Sequence, residues 1–278
     1  MELSALEHLI YGIVAGLTDI LPVSEGAHSI LLLKVLGAKS IGGLPVLLIH
    51  LAVLAAIYLS SQTQLVKMSR ARRLARIPKK RRKRPLDLRS LMDSRFLTTM
   101  MLPVILVLLF YGRLSKVHFS LLAVAGLLFF NGIILYIPQF LPGSNKDARS
   151  LSRIEGALMG LGGSLSVLPG MSGVGVSVSI GSICGVERSY ALNMTLMMNM
   201  AYVAGMIVYD ILGLFQTGLG GLTFQWAMIY LLAAAAAFVS TTLAIRVMRA
   251  LVTSHDYYLF AYYCWGIALF AFILNLMA

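Results

Sequence analysis

The sequence predicts an all-α integral membrane protein, with about six transmembrane helices and two re-entrant helical hairpins arranged as an inverted-topology repeat. Three observations lead there. Of 278 residues, 59% are hydrophobic and 12% charged, and the mean hydropathy is +0.85; this is too apolar for a soluble domain and makes the bilayer the solvent. Apolar runs of the length needed to cross about 30 Å of hydrocarbon recur along the chain. Two short segments, Gly16 to His28 (GLTDILPVSEGAH) and Gly163 to Gly175 (GSLSVLPGMSGVG), resemble one another, and each is broken at a Leu-Pro step. At an offset of 147, Gly16 meets Gly163, Leu21 meets Leu168, Pro22 meets Pro169 and Gly26 meets Gly173.

Taken in order, the opening segment 5–37 is glycine-rich and broken at Pro22. Each of its halves is too short to span a membrane alone, so it predicts a re-entrant hairpin. Spans follow near 43–62, 97–112 and 117–141. Segment 156–185, broken at Pro169-Gly170, predicts the second hairpin, and spans near 190–215, 224–247 and 256–277 complete the chain. Paired broken helices are a sequence pointer to a binding site near the bilayer midplane. The reading is one membrane domain, with repeat halves at about 1–112 and 117–278.

Charge fixes the expected orientation. The net charge is +12, but Lys67 to Arg95 holds thirteen Lys/Arg against Asp87 and Asp93, a net of +11 that leaves +1 for the rest. In a soluble protein the core of that stretch, Lys79 to Arg84 (KKRRKR), would suggest nucleic acid. Between hydrophobic spans it reads as a positive-inside signal, so the loop 67–95 is expected in the cytoplasm and no nucleic-acid partner is expected. Counting spans from it puts the first hairpin on the outer face and the second on the inner face, the geometry of an inverted repeat. The N-terminus shows neither a basic n-region nor a small-residue cleavage site, so the first segment is expected to persist. Cys184 and Cys264 lie in apolar surroundings without metal-type spacing and read as buried thiols.

Irregular backbone at membrane depth must be buried in protein or line a wet cavity, so the hairpin tips should meet inside. Glycines, free amides at helix N-termini and hydroxyls at those tips suit a phosphate or another anion. Asp19, Ser24, Glu25 and His28 flank the first break; Ser166, Ser172, Ser177 and Ser179 flank the second. Ionisable groups inside a membrane are costly and mark function. Plainer alternatives stand beside this: helix capping for Asp19 and Glu25, a backbone-bonded interior histidine for His28, and small-residue packing for any one serine. His50 needs a polar partner within its span, Asn193, Thr195 and Asn199 read as interhelical hydrogen-bonding residues, and Glu187 and Arg188 are expected to pair with each other or with headgroups.

The strings GIVAGLTDILPVSEGAH, LPGMSGVGVS and GVERSYA resemble the membrane undecaprenyl-diphosphate phosphatase family, associated with bacitracin resistance, over nearly the whole chain. The resemblance implies a hydrolase acting on the polyprenyl diphosphate carrier of cell-wall and peptidoglycan synthesis, in the bacterial plasma membrane, with a site opening outward. It implies catalytic roles for Asp19, Ser24, His28 and Ser172. Gly170, Gly173, Gly175, Ser177 and Glu25 would bind substrate, and Asp19 with Glu25 would hold a divalent cation, Mg or Ca. Attack would fall to a serine or the histidine, and proton transfer to His28.

The match departs from the family pattern at informative places. The family's first motif carries two glutamates four residues apart; Ala15 stands at the first and Asp19 at the second. Glu25 replaces a serine, Gly26 a threonine and Gly173 an arginine. Loss of that arginine removes a bidentate clamp for the diphosphate. The expected function is polyprenyl-diphosphate hydrolysis; the alternative is a non-catalytic polyprenyl-phosphate carrier, or flippase, on the same fold. A channel is disfavoured because no charged ring or repeated filter is present. Whether the chain forms a homodimer is left open.

Overall fold

The computed structural model describes residues 3–142, 145–147, 149–218, 222–254 and 256–277. Ten α-helices are formed among them: α1 (Ala5–Ile20), α2 (Glu25–Val35), α3 (Gly43–Ala75), α4 (Leu88–Leu114), α5 (Leu121–Tyr136), α6 (Arg153–Ser164), α7 (Gly173–Ile183), α8 (Arg188–Thr217), α9 (Phe224–Ser254) and α10 (Leu259–Met277). Six of them, α3, α4, α5 with its 3₁₀ extension, α8, α9 and α10, are long and apolar enough to cross a membrane. The protein is therefore a multi-pass membrane protein. Large apolar side chains on its outer faces, such as Leu109, Phe215 and Phe224, are exposed, as lipid contact requires.

The spans fall where the apolar runs predict, but α3 does not stop at residue 62. It continues to Ala75, 33 residues in all, or about 50 Å at 1.5 Å per residue, some 20 Å more than the hydrocarbon needs. Gln64, Leu65, Lys67, Met68 and the arginines beyond them are good helix formers, so the helix persists into water after its hydrophobicity ends. Much of the basic segment is thus helix, and Asp87 caps the next element by accepting from the Ser90 amide.

The remaining helices form two pairs around the proline steps. α1, α2, α6 and α7 have 16, 11, 12 and 11 residues, so none is longer than about 24 Å. Both pairs begin alike. Ser4 with Glu7 and Ser152 with Glu155 form capping boxes, which satisfy orphan amides at each N-terminus. Both also break alike: Leu21 and Leu168 are extended, as a residue before proline prefers.

Packing repeats as well. α1 lies along α9 as α6 lies along α4, and α3 touches α9 as α8 touches α4, while α3 crosses α8 and α5 pairs with α10. Helices one to five therefore correspond in packing to helices six to ten, which puts the junction between α5 and α6 and moves α5 into the first half, whereas the sequence reading divides the chain before it, at 112–117. Small-xxx-small motifs permit the close approaches. A Cβ on Gly12 would strike the Ala233 carbonyl and one on Gly160 the Met100 carbonyl, and Thr241 donates to the Gly16 carbonyl oxygen at 3.1 Å.

Candidate active site

The two proline breaks meet in the protein interior. Gly26 packs on Pro169, and Gly175 packs on Pro22 so closely that a Cβ would come within 2.5 Å of the proline ring. Ser24 is the one non-glycine with positive φ among the described residues, at 71°. Its hydroxyl accepts from the Gly170 amide at 2.8 Å and from Ala27 at 3.4 Å. Gly170 has φ 121°, and a Cβ there would strike Leu127, so glycine is required twice over. Asn131, fully buried on α5, joins the breaks: its Nδ2 donates to the Pro22 carbonyl at 3.0 Å and its Oδ1 accepts from the Ser172 amide at 2.9 Å.

Beside this junction lies a cavity of about 240 Å³ between α1, α2, α3, α4 and α8, lined among others by Ala15, Asp19, Glu25, Ser29, His50 and Asp210. Tyr11 donates to Ser29 Oγ at 2.9 Å and Ser29 donates to Glu25 Oε1 at 2.5 Å. Asn199 Nδ2 donates to Asp19 Oδ2 at 2.9 Å. His50 Nδ1 lies 2.6 Å from Asp210 Oδ2. Three carboxylates face the cavity, and among the described residues no lysine or arginine lines it. Positive charge, on a protonated His50 or a bound cation, would offset their repulsion of an anion.

The expected site residues divide accordingly. Asp19 and Glu25 come together in the cavity. Ser24 and Ser172 act as N-caps of α2 and α7, their hydroxyls already accepting from backbone amides. His28 has both ring nitrogens engaged, Nδ1 with the Ser24 carbonyl at 2.8 Å and Nε2 with the Tyr263 hydroxyl at 2.9 Å. It stacks on Tyr263 and does not line the cavity. Ser177 is fully buried and hydrogen-bonded to Thr195, 2.9 Å away, and does not line the cavity. Position 173 has no room for the family arginine, because a Cβ there would collide with the Gly163 carbonyl and the Ser166 side chain. Glu187 caps α8 by accepting from the Ser189 and Tyr190 amides, and Arg188 donates to the Pro138 carbonyl.

Asp19 and Glu25 are the groups able to hold a divalent cation, and among the described residues no set of three or more His, Cys, Asp or Glu is placed to complete a protein-only site. Two carboxylates are nevertheless the usual protein share where a phosphate supplies further oxygens. Asn131 and Asp210 went unnoticed in the sequence. Asp210 carried one available signal, an isolated acid within an otherwise apolar span.

The chain has relatives over nearly all of its length. It is 30% identical over 275 residues to a protein of Methanobrevibacter smithii, covering 96% of each. It is 26% identical over 283 residues to one of Shouchella clausii, covering 98% of this chain and 96% of the relative. A third, of Desulforapulum autotrophicum, is 24% identical over 275 residues, covering 97% and 98%. The first and third are named undecaprenyl-diphosphatase and the second undecaprenyl-diphosphatase 1. Residues 8–270 match the family described as bacitracin resistance protein BacA, and the chain belongs to that family.

Proposed function

We propose that this protein hydrolyses a polyprenyl diphosphate, of the undecaprenyl class named for its relatives, to the monophosphate and inorganic phosphate during recycling of the lipid carrier. The observation that carries the reading is the family match over residues 8–270. The acidic cavity supports it: Asp19, at the second glutamate of the family motif, shares that space with Glu25, which replaces a family serine. A divalent cation bound there would supply the positive charge that the lost arginine no longer provides. Asp19 and Glu25 would hold it together with phosphate oxygens, and the Gly170 region would pack beside the diphosphate.

The same reading gives an orientation. With the basic segment 67–95 in the cytoplasm of a plasma-membrane protein, the N-terminus of α3 and the C-terminus of α8 face outward. The cavity, near those ends, then opens to the outer leaflet, and the two short helix pairs are re-entrant from opposite sides.

The test is phosphate release by the purified full-length protein in detergent, with farnesyl or undecaprenyl diphosphate and Mg²⁺ or Ca²⁺. Metal-dependent release by the wild type is expected, reduced on the order of a hundredfold in Asp19→Asn and Glu25→Ala. No release above background would overturn the reading and leave the non-catalytic carrier in its place.

A further inference from the structure

The histidine that the family resemblance marks, His28, does not line the cavity, whereas another, His50, does. His50 and Asp210 sit on different helices, seven positions from the N-terminus of α3 and seven from the C-terminus of α8, so both lie about 10 Å inside the same ends. Each is the sort of ionisable side chain that a span retains for function. Their side chains are 17% and 14% exposed, and both line the cavity with Asp19 and Glu25.

The bond between them determines what the imidazole can do. An ionised carboxylate only accepts, so at 2.6 Å Asp210 accepts a hydrogen bond from His50 Nδ1–H, which in the neutral imidazole leaves Nε2 as the nitrogen with a free lone pair. Nε2 has no hydrogen-bond partner among the described residues, yet no buried polar side-chain atom lacks one; Nε2 is therefore open to the cavity. The other carboxylates there already accept bonds, Asp19 from Asn199 and Glu25 from Ser29, and the remaining titratable groups lining it are Tyr11 and Tyr111.

We propose that His50 is the general base of this site and Asp210 its positioning residue, a role that rests on the phosphatase reading. A water O–H transfers its proton to His50 Nε2 while the water oxygen bonds to the terminal phosphorus. The bond from that phosphorus to the bridging oxygen breaks, and its electron pair leaves on the polyprenyl monophosphate. Inorganic phosphate is released and the proton passes from His50 to solvent.

The experiment compares wild type, His50→Gln, His50→Ala and Asp210→Asn, purified full length, with farnesyl diphosphate and Mg²⁺. His50→Gln is expected to lower kcat on the order of a hundredfold with KM little changed, since general-base removal acts on the transition state. Asp210→Asn, which keeps the shape, is expected to lower kcat at least about tenfold by freeing the ring tautomer. Added imidazole is expected to restore phosphate release to His50→Ala in proportion to its unprotonated fraction, which a packing role would not produce. Wild-type release with undiminished kcat in His50→Gln overturns this role alone. Should both His50 variants fail to fold, undiminished kcat in Asp210→Asn overturns it. Absence of wild-type release overturns the phosphatase reading and this role with it.

Discussion

Asn131 touches both breaks at once, and its environment shows what a residue can do that no local pattern announces. It lies 109 positions from Pro22 and 41 from Ser172, bonds to both, and is fully buried. Replacing it by leucine keeps the branched shape but strands the Pro22 carbonyl and the Ser172 amide, at about 1–3 kcal/mol each. Asn131→Leu is therefore expected to cost about 2–6 kcal/mol in stability, read as a fall in the thermal midpoint in detergent. An unchanged midpoint would mean that Cys264, whose thiol lies 3.6 Å from the same carbonyl, serves in its place. Asp19 and Glu25 were legible because they flank a proline step inside an apolar segment. The His50–Asp210 pair was not, because its partners stand 160 residues apart and only the crossing of α3 on α8 unites them. The Gly173 departure was visible as a missing arginine, but the reason, a wall made by Gly163 and Ser166, exists only in three dimensions.

Element positions were read more fully than element ends. Hydrophobic length located all six spans because each must satisfy the same slab of hydrocarbon, and the X-Pro rule located both breaks. The end of α3 was misplaced because hydropathy marks where the membrane stops, while helix propensity decides where the helix stops. How elements pack depends on small residues. In α6, Gly156 and Gly160 face Phe96 and the Met100 backbone of α4; in α1, Gly12 and Gly16 face α9. A larger side chain at Gly160 must push against the Met100 carbonyl, which is backbone and cannot rotate away. Gly160→Leu is expected to destabilise by about 1–3 kcal/mol or more, since overpacking a tight contact forces helices apart. Thermal unfolding in detergent measures this, and Gly126→Leu, where a Cβ would meet nothing within 4 Å, supplies the comparison.

At the scale of the whole molecule, a repeated helix order and a lopsided charge distribution make one joint statement. The packing correspondence gives α1–α5 and α6–α10 the same arrangement, and with the short pairs re-entrant, as proposed, the odd number of full spans in the first set, α3, α4 and α5, would turn the second set over in the membrane. Charge then selects which face is which. Segment 67–95, with its net +11, resists transfer across the membrane, and the projecting end of α3 holds many of those cations on one side. In the proposed orientation the connection from α4 to α5, at residues 115–120, would lie on the other side, at the same end as the termini of α3 and α8 that border the acidic cavity. In a background of Cys184→Ser and Cys264→Ala, a membrane-impermeant thiol reagent added to intact cells is expected to label Lys116→Cys and to spare Lys80→Cys until the membrane is opened. The reverse pattern would turn the molecule over and aim the cavity at the cytoplasm, where an outer-leaflet diphosphate could not reach Asp19 and Glu25.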